Sequence, residues 1–196
     1  MSKRLFDFFF ASLGLILLSP LFLLIAAWIR TDSVGPVFFR QERVGQFGKI
    51  FRIHKFRTMV TDAEKQGMQI TVGNDVRITR PGSFLRRYKL DELPQLMDVV
   101  QGTMSLVGPR PEVPKYVKHY PDDIRDIVLS VKPGITDLAS IDFKDENILL
   151  GKSSHPEETY IYEILPRKLN YCVQYVQNRS LLLDIKLILR TMYAII

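Results

Sequence analysis

The amino-acid sequence predicts a mixed α/β fold in which a small antiparallel sheet and several short helices surround an N-terminal membrane helix. Three patterns support this prediction. The run Leu5–Ile29 is almost entirely apolar, and Pro36–Thr58 alternates with the period of two paired strands. Apolar residues then recur at helical spacing in the stretch Leu90–Pro111 and again in Ser180–Ile196.

Length and composition limit the classes of function. A chain of 196 residues with 46% hydrophobic and 24% charged residues suits one globular domain. The formal net charge of +6 predicts an anionic partner, which leaves nucleic acid, acidic lipid and a phosphorylated substrate open. The single Cys172 excludes an internal disulfide, and its helical spacing from Leu169 and Val176 predicts a core thiol.

The apolar run Leu5–Ile29 is long enough to cross a bilayer, because a helix of that length spans roughly 38 Å. It is too long for a secretory signal peptide, and no A-x-A cleavage pattern follows it. The default interpretation is an ordinary transmembrane helix.

Two details favour a re-entrant helix over a spanning one. Ser19 and Pro20 fall in the middle of the run, where proline removes a backbone hydrogen bond and kinks a helix. By the positive-inside rule both ends belong to the cytoplasm, because the basic residues flanking the run are Lys3, Arg4 and Arg30. We expect residues 1–30 to form a re-entrant membrane helix, and residues 31–196 to form a domain with interfacial helices on the cytoplasmic face.

Basic residues precede the central stretch. In the second predicted strand, Lys55 follows Phe51 and Ile53 on one face, so it either reaches solvent at the strand end or points into a site as a cation. Arg86 lies in the run Asp75–Arg87, which holds four arginines directly before an acidic pair. Such a run is either a solvated or lipid-facing surface or a clamp for an anion.

The central stretch Leu90–Pro111 predicts a helix that begins with two carboxylates. Its apolar face follows the i, i+3, i+4, i+7 spacing of Leu93, Leu96, Met97 and Val100, and Gly102 ends it. Asp91 stands at the helix start, where unpaired N–H groups favour an ionised carboxylate that can help hold the metal of an anionic ligand. The alternative is that Asp91 is only an N-cap and Glu92 a first-turn acid.

Arg110 stands between Pro109 and Pro111 at the end of the central stretch. Because proline fixes φ on both sides, the guanidinium is presented at low entropic cost, and arginine binds phosphate oxygens in bidentate fashion. Of the remaining segments, Pro166–Gln177 and Ser180–Ile196 are predicted helices, the second either buried or at a membrane interface. A short helix and loop is expected at Thr61–Asn74 and irregular structure at Ile135–Lys152.

Several motifs in this order resemble the bacterial sugar transferases, and among them the small monotopic phosphoglycosyl transferases that act on polyprenol phosphate. The motifs are LFDFFFASLGLILLSPLFLL, PVFFRQERVGQFGKIFRIHKFRTM, DVRITRPGSFLRRYKLDELPQL, GTMSLVGPRPEV, KPGIT and SLLLDIKLILRT. Together they cover nearly the whole chain.

The resemblance implies a transfer of sugar 1-phosphate from a UDP-sugar to undecaprenyl phosphate, with release of UMP, as the first membrane step of surface glycan assembly. It assigns the nucleophile to Asp91, which forms a covalent aspartyl-phosphosugar, and support beside a bound Mg²⁺ to Glu92. Both carboxylates are the implied metal ligands, and Lys55, Arg86 and Arg110 match the family's substrate-binding cations. The implied location is the cytoplasmic face of the bacterial inner membrane, among its phospholipids and without nucleic acid. The sequence leaves monomer and homodimer open.

The chain departs from the resemblance in one place. After KPGIT many members of the family continue G-W-A-Q-V-N-G-R, whereas this chain has Asp137–Asp142, a change that concerns sugar recognition. A second class of function is a membrane-anchored basic protein that binds anionic lipid or nucleic acid through its arginines. Such a protein has no need of the Asp91-Glu92 pair.

Overall fold

The computed structural model describes residues 2–63, 70–73, 75–143 and 146–195. Its longest element is helix α1, Ser2–Asp32, which is long and apolar enough to cross a membrane by length and composition. The predicted helix and loop at Thr61–Asn74 lies mostly outside the described residues.

Helix α1 is continuous across Ser19 and Pro20. A proline at position 20 has no N–H with which to bond the carbonyl of Ile16, four residues earlier. The Ser19 hydroxyl donates to that carbonyl at 2.8 Å, so a side chain replaces the missing backbone bond. The membrane segment is therefore one long apolar helix, and its re-entrant course stays a prediction.

A small antiparallel sheet follows α1, as the alternating pattern predicts. Strands β1 (Phe38–Val44) and β2 (Ile50–Phe56) pair in a register that sets Phe39 opposite Lys55. In the connecting turn Gly48 has a φ of 74°, a conformation that glycine adopts at little cost.

Short elements fill most of the remaining chain. In order they are α2 (Arg80–Arg87), α3 (Gln95–Gln101), β3 (Ser105–Val107), α4 (Pro114–Val117), α5 (Asp122–Val128), β4 (Gly134–Thr136), α6 (Leu138–Asp142), α7 (Glu146–Gly151), α8 (Pro156–Thr159), α9 (Leu165–Asn178) and α10 (Leu181–Ile195). Strands β3 and β4 form a second, parallel pair. Cys172 on α9 is buried in the largest hydrophobic cluster, which confirms the predicted core thiol.

The prediction of irregular structure at Ile135–Lys152 is wrong, because this segment holds α6 and α7. Helix α6 begins after Asp137, whose carboxylate accepts a hydrogen bond from the backbone N–H of Ser140 at 2.7 Å. An aspartate at this position is an ordinary N-cap signal.

The N-terminal end of α1 is bound to the globular part of the chain through polar groups. The Arg4 guanidinium donates to the carbonyls of Val99 and Val100, at 2.5 and 2.8 Å, and so caps the C-terminal end of α3. Asp7 is buried and accepts a hydrogen bond from the Ser105 hydroxyl at 2.8 Å. Arg4, a basic residue that flanks the apolar run, thus also makes a structural contact with the domain.

The C-terminal end of α1 is bound to the same domain, at β2. Arg57, directly beyond that strand, donates to the carbonyls of Ile29 and Ser33, at 3.4 and 2.8 Å, which caps the helix. Gly35 has a φ of 132°, and a Cβ at this position would collide with the Arg57 guanidinium. Ile25 and Ile29 also pack in one cluster with Phe56 and Leu85.

On each of helices α1 and α10 an aspartate is buried and large apolar side chains are exposed, the opposite of the surface of a water-soluble protein. On α10 the charged Asp184 is buried, held by Lys3 at 2.5 Å and by Tyr175 at 2.7 Å, whereas Leu182 is 79% exposed. On α1 Leu23 is 73% exposed. Large apolar exposure on both helices is typical of contact with a membrane.

We predict that Gly35→Ala destabilises the protein more than Gly48→Ala. Both changes place a side chain at positive φ, which costs about 1–2 kcal/mol, but only the first also displaces Arg57 from the end of α1. The difference should be about 1–3 kcal/mol. Thermal unfolding in one detergent measures it, with Gly48→Ala as the matched control because its added Cβ meets no atom within 4 Å. Equal losses in the two variants would contradict the proposed cap.

Candidate active site

The two predicted carboxylates lie on a 3₁₀ turn, Leu90–Glu92, directly before α3. Gly102, at a φ of 88°, ends α3, which confirms the helix predicted here and its C-terminal end. Lys89 before the turn also has a positive φ, 54°, so the backbone bends sharply as it enters the acidic pair. Neither carboxylate accepts a hydrogen bond from a backbone N–H at the helix start. Among the described residues Asp91 therefore does not act as a simple N-cap.

Glu92 brings two of the predicted cations together. Its Oε1 accepts from Lys55 Nζ at 2.8 Å, and its Oε2 accepts from Arg110 Nη1 at 2.7 Å, while Arg110 Nη2 also bonds Oε1. Burial alone would raise the pKa of Glu92, but Arg110 and Lys55 outweigh burial and hold that pKa well below its usual range. Glu92 is therefore a fixed anion that positions a strand residue and a loop residue.

Asp91 differs from its neighbour. Its residue is only 8% exposed, and no described residue donates a hydrogen bond to its carboxylate. Burial raises the pKa of Asp91 and the charge of Glu92 raises it further, while Lys55 and Arg86 act in the opposite direction. A carboxylate with a raised pKa and no hydrogen-bond donor is more basic, and hence a better nucleophile, than a solvated one.

Arg86 lies on α2 and reaches towards the same site. Its guanidinium donates to the Thr71 hydroxyl at 2.5 Å and to the Thr58 hydroxyl at 3.4 Å, and no acidic group in the described residues pairs with it. Arg77 of the same basic run is instead paired with Asp75 at 2.6 Å. Arg86 is thus held only by neutral hydroxyls, which leaves its charge available to an anion.

All five predicted residues line one cavity of about 2090 Å³. These residues are Lys55, Arg86, Asp91, Glu92 and Arg110. Three cations around a buried carboxylate form a site suited to the phosphates of an anionic substrate.

The contacts of Asp91 and Glu92 show how the Mg²⁺ implied by the resemblance would fit this site. Both oxygens of Glu92 are taken by cations, and the described part of the chain holds no group of three or more potential metal ligands. Mg²⁺ usually binds to one or two carboxylates together with substrate phosphates and water. Asp91 alone satisfies that requirement in this arrangement, so the site fits a metal that arrives with a diphosphate.

Comparison with known proteins identifies the family. The family model for bacterial sugar transferases matches residues 1–196. The chain belongs to the bacterial sugar transferase family.

Three relatives illustrate the range of this transferase family. A UDP-glucose:undecaprenyl-phosphate glucose-1-phosphate transferase of Klebsiella pneumoniae is 41% identical over 97% of the chain and 39% of the relative. A UDP-N-acetylgalactosamine-undecaprenyl-phosphate N-acetylgalactosaminephosphotransferase of Aeromonas hydrophila is 36% identical over 99% and 43%, respectively. An exopolysaccharide production protein, ExoY, of Sinorhizobium fredii is 34% identical over 99% and 85%. The chain spans about two fifths of the length of the first two relatives.

A second ionic cluster supports the Pro-Arg-Pro loop of this bacterial sugar transferase, and sequence patterns did not indicate it. Glu112 is buried and accepts a hydrogen bond from the Tyr160 hydroxyl at 2.5 Å. Lys168 lies 3.5 Å from Glu112 and 2.9 Å from Glu146, and Arg43 donates to the Pro111 carbonyl at 2.9 Å. The sequence feature that could have indicated this cluster was Lys168, a lysine on the buried face of a predicted helix.

His54 and Asp98 hold β2 against α3. The two oxygens of Asp98 bond the backbone N–H of His54 at 2.9 Å and its Nδ1 at 2.7 Å. Because Lys55 follows His54, this pair fixes the position of the lysine beside Glu92. The buried Gln95, one turn after Asp91, has no side-chain partner among the described residues.

We predict opposite stability effects for the two acids. The folded-state pKa of Asp91 is raised. Its stabilising contribution is therefore full below the unfolded-state pKa and is lost as pH rises through the folded-state pKa. At pH 7.5 Asp91→Asn should therefore unfold at a temperature equal to or above that of the wild type. The gain should shrink towards pH ~4.

Glu92→Gln should do the reverse. The pKa of Glu92 is depressed, so its contribution is present above the unfolded-state pKa and is lost as pH falls through the folded-state value. The change leaves two part-buried cations without their partner and should cost about 3 kcal/mol at neutral pH. Thermal unfolding of both variants across pH tests the pair, and a more stable Glu92→Gln would contradict it.

Proposed function

We propose that this protein transfers sugar 1-phosphate from a UDP-sugar to undecaprenyl phosphate through a covalent aspartyl-phosphosugar on Asp91, releasing UMP. The observation that carries the proposal is the buried Asp91 carboxylate, which has no hydrogen-bond donor in the described residues and lines one cavity with three cations. Family membership and the names of the relatives support the same substrates.

The proposed reaction has two displacements at one phosphorus atom. An Asp91 oxygen bonds to the phosphorus that carries the sugar, the diphosphate P–O bond breaks, and UMP leaves with the electron pair. A phosphate oxygen of the lipid then attacks the same phosphorus, and the Asp91 carboxylate leaves. The product is an undecaprenyl-diphosphate sugar. Covalent catalysis thus lets a soluble donor and a lipid acceptor use one site in turn.

The cations act before and during the first displacement. A diphosphate repels an incoming carboxylate, and fixed cations offset that repulsion and stabilise charge on the leaving phosphate. Among the described residues Arg86 is held by hydroxyls and by no acidic group, so it is the cation best placed to bind phosphate oxygens. Glu92 holds Lys55 and Arg110 in place beside the nucleophile.

A divalent cation completes the proposed site. Asp91 would hold Mg²⁺ together with diphosphate oxygens of the donor, and the ion would supply charge neutralisation on those oxygens. Glu92 would join as a ligand only by giving up one of its cationic partners, so its role is to orient Lys55 and Arg110.

The proposed location is the cytoplasmic face of the bacterial inner membrane, with residues 1–30 as a re-entrant helix and residues 31–196 as the catalytic domain. The support is that both ends of α1 contact one domain, Arg4 at α3 and Ile29 at Arg57. A helix that spanned the roughly 30 Å hydrocarbon layer would hold its two ends on opposite sides. The Ser19–Ile16 bond supplies the partner that a bend at Pro20 requires within lipid.

A membrane-anchored binding protein for anionic lipid or nucleic acid is the weaker alternative. Its arginines would need to face outward, whereas Arg4 and Arg57 cap helices and Arg110 pairs with Glu92.

We predict that Asp91→Asn abolishes turnover while the protein keeps its fold. Wild-type protein incubated with a UDP-sugar and Mg²⁺, without lipid, should gain a phosphosugar mass on the peptide that contains Asp91 and release one equivalent of UMP. EDTA should prevent both, and added Mg²⁺ should restore them. Intact-protein and peptide mass spectrometry over a panel of UDP-sugars measures the adduct and names the sugar.

The matched control is Asp98→Asn. Asp98 is a buried aspartate on the helix that follows Asp91, and it bonds His54 and does not line the cavity. It should still form the adduct, although more slowly. UMP release that strictly requires the lipid acceptor, with no adduct on Asp91, would refute the two-step mechanism.

The topology gives a separate prediction. Ser2→Cys and Val34→Cys place thiols before and after the membrane segment, and the native Cys172 is buried. In intact cells with a permeable outer membrane, neither thiol should react with a membrane-impermeant reagent, and both should react once the inner membrane is opened. Labelling of Cys at position 2 alone from outside would mean that α1 spans the bilayer.

A further inference from the structure

The cavity that holds the acidic pair does not end at the charged residues. One of its walls is a face of α1, where Phe6, Phe10, Gly14 and Leu18 recur every four residues. This spacing forms a single stripe along the helix, over a length of about 18 Å. The catalytic cavity therefore continues along the membrane helix.

A second wall is a face of α10. Ile185, Ile188, Leu189 and Met192 line the cavity at the i, i+3, i+4, i+7 spacing of one helical face. Leu189 is 60% exposed and lines this wall. The two stripes define a feature that we name the apolar groove.

The floor of the apolar groove leads to the nucleophile. Leu93 and Leu96 line the cavity, and Leu93 directly follows Glu92 in the chain. Gly14 lies so close to this floor that a Cβ there would be 3.3 Å from the Leu96 Cδ1. A side chain at position 14 would therefore narrow the groove, and glycine leaves it open.

The chemistry of the groove selects its ligand. Asp184, Lys186 and Arg190 of α10 are absent from the described lining, and the hydroxyls of Thr136 and Thr191 bond each other at 2.6 Å. A nucleotide or a peptide backbone would leave polar groups unpaired there, at a cost of several kcal/mol each. A hydrocarbon chain has no such cost, and the charged end of the cavity supplies cations for an anionic head.

We propose that the apolar groove binds the polyprenyl chain of the lipid acceptor, with the phosphate of that lipid directed to Lys55, Arg86 and Arg110. The inference rests on the proposed function, because it takes its ligand to be the acceptor. An apolar chain that leaves the bilayer beside α1 and α10 stays out of water along the whole groove. The donor needs no part of this surface.

The test compares two tryptophan variants on one helix. Leu189→Trp fills the groove, whereas Leu182→Trp adds the same volume at a 79% exposed position outside the cavity lining. For Leu189→Trp we expect the KM for undecaprenyl phosphate to rise about tenfold. The donor-only adduct should form at a rate within about twofold of wild type, and Leu182→Trp should match wild type in both assays.

A short-chain polyprenyl phosphate serves as the second acceptor and should show a smaller KM increase in Leu189→Trp. An unchanged KM in Leu189→Trp, or an equal increase in Leu182→Trp, would overturn the proposal. A matching loss of the donor-only adduct would also overturn it, since the residue would then support the fold or a structural phospholipid.

A photoreactive polyprenyl phosphate separates this proposal from the proposed function, because crosslinking needs no turnover. Labelling of the α10 peptide that Leu189→Trp blocks supports the groove even if no UDP-sugar is consumed. Turnover with labelling confined to other peptides would overturn the groove and leave the proposed function intact.

Discussion

The bonds that Glu92 makes with Lys55 and Arg110 are the interaction on which the site depends. They join a strand, a 3₁₀ turn and a proline-bounded loop that are far apart in the chain. Buried ion pairs of this kind add little net stability, because desolvation offsets most of the attraction. Their contribution is geometric, because moving any one of the three side chains away would leave a charge without its partner. Asp91 is destabilised in its ionised form, because it is buried beside the charged Glu92, whose oxygens are already bonded to Lys55 and Arg110. Its pKa is raised for this reason.

The membrane helix is fastened to this arrangement from both sides. Arg4 bonds the last carbonyls of the helix that follows the acidic pair, and Arg57 lies two residues after Lys55. The position of α1 and the positions of Lys55 and the acidic pair are therefore set by the same two secondary-structure elements, α3 and β2. Guanidinium groups suit this role because each can satisfy two or more orphan carbonyls at a helix end.

Local patterns predicted a large part of this structure. The long apolar helix, the antiparallel pair and the central helix follow from periodicity within short windows, and the five residues singled out by the motifs line one cavity. The contacts that were missed join residues distant in sequence, such as Glu112 with Lys168 and His54 with Asp98. Periodicity carries no information on such pairs. The cap that Arg4 provides for α3 was missed for the same reason, since a basic flank and a helix cap look alike in a sequence.

The two guanidinium caps have a practical consequence for anyone who wishes to handle this protein in water. Removing the first thirty residues would not detach an anchor from a domain that is complete without it. It would uncap α3, remove the Ile29 carbonyl that Arg57 bonds, and expose the apolar surfaces of Phe56 and Leu85 that α1 covers. Helix α1 is as much a part of the fold around the acidic pair as the strand that carries Lys55.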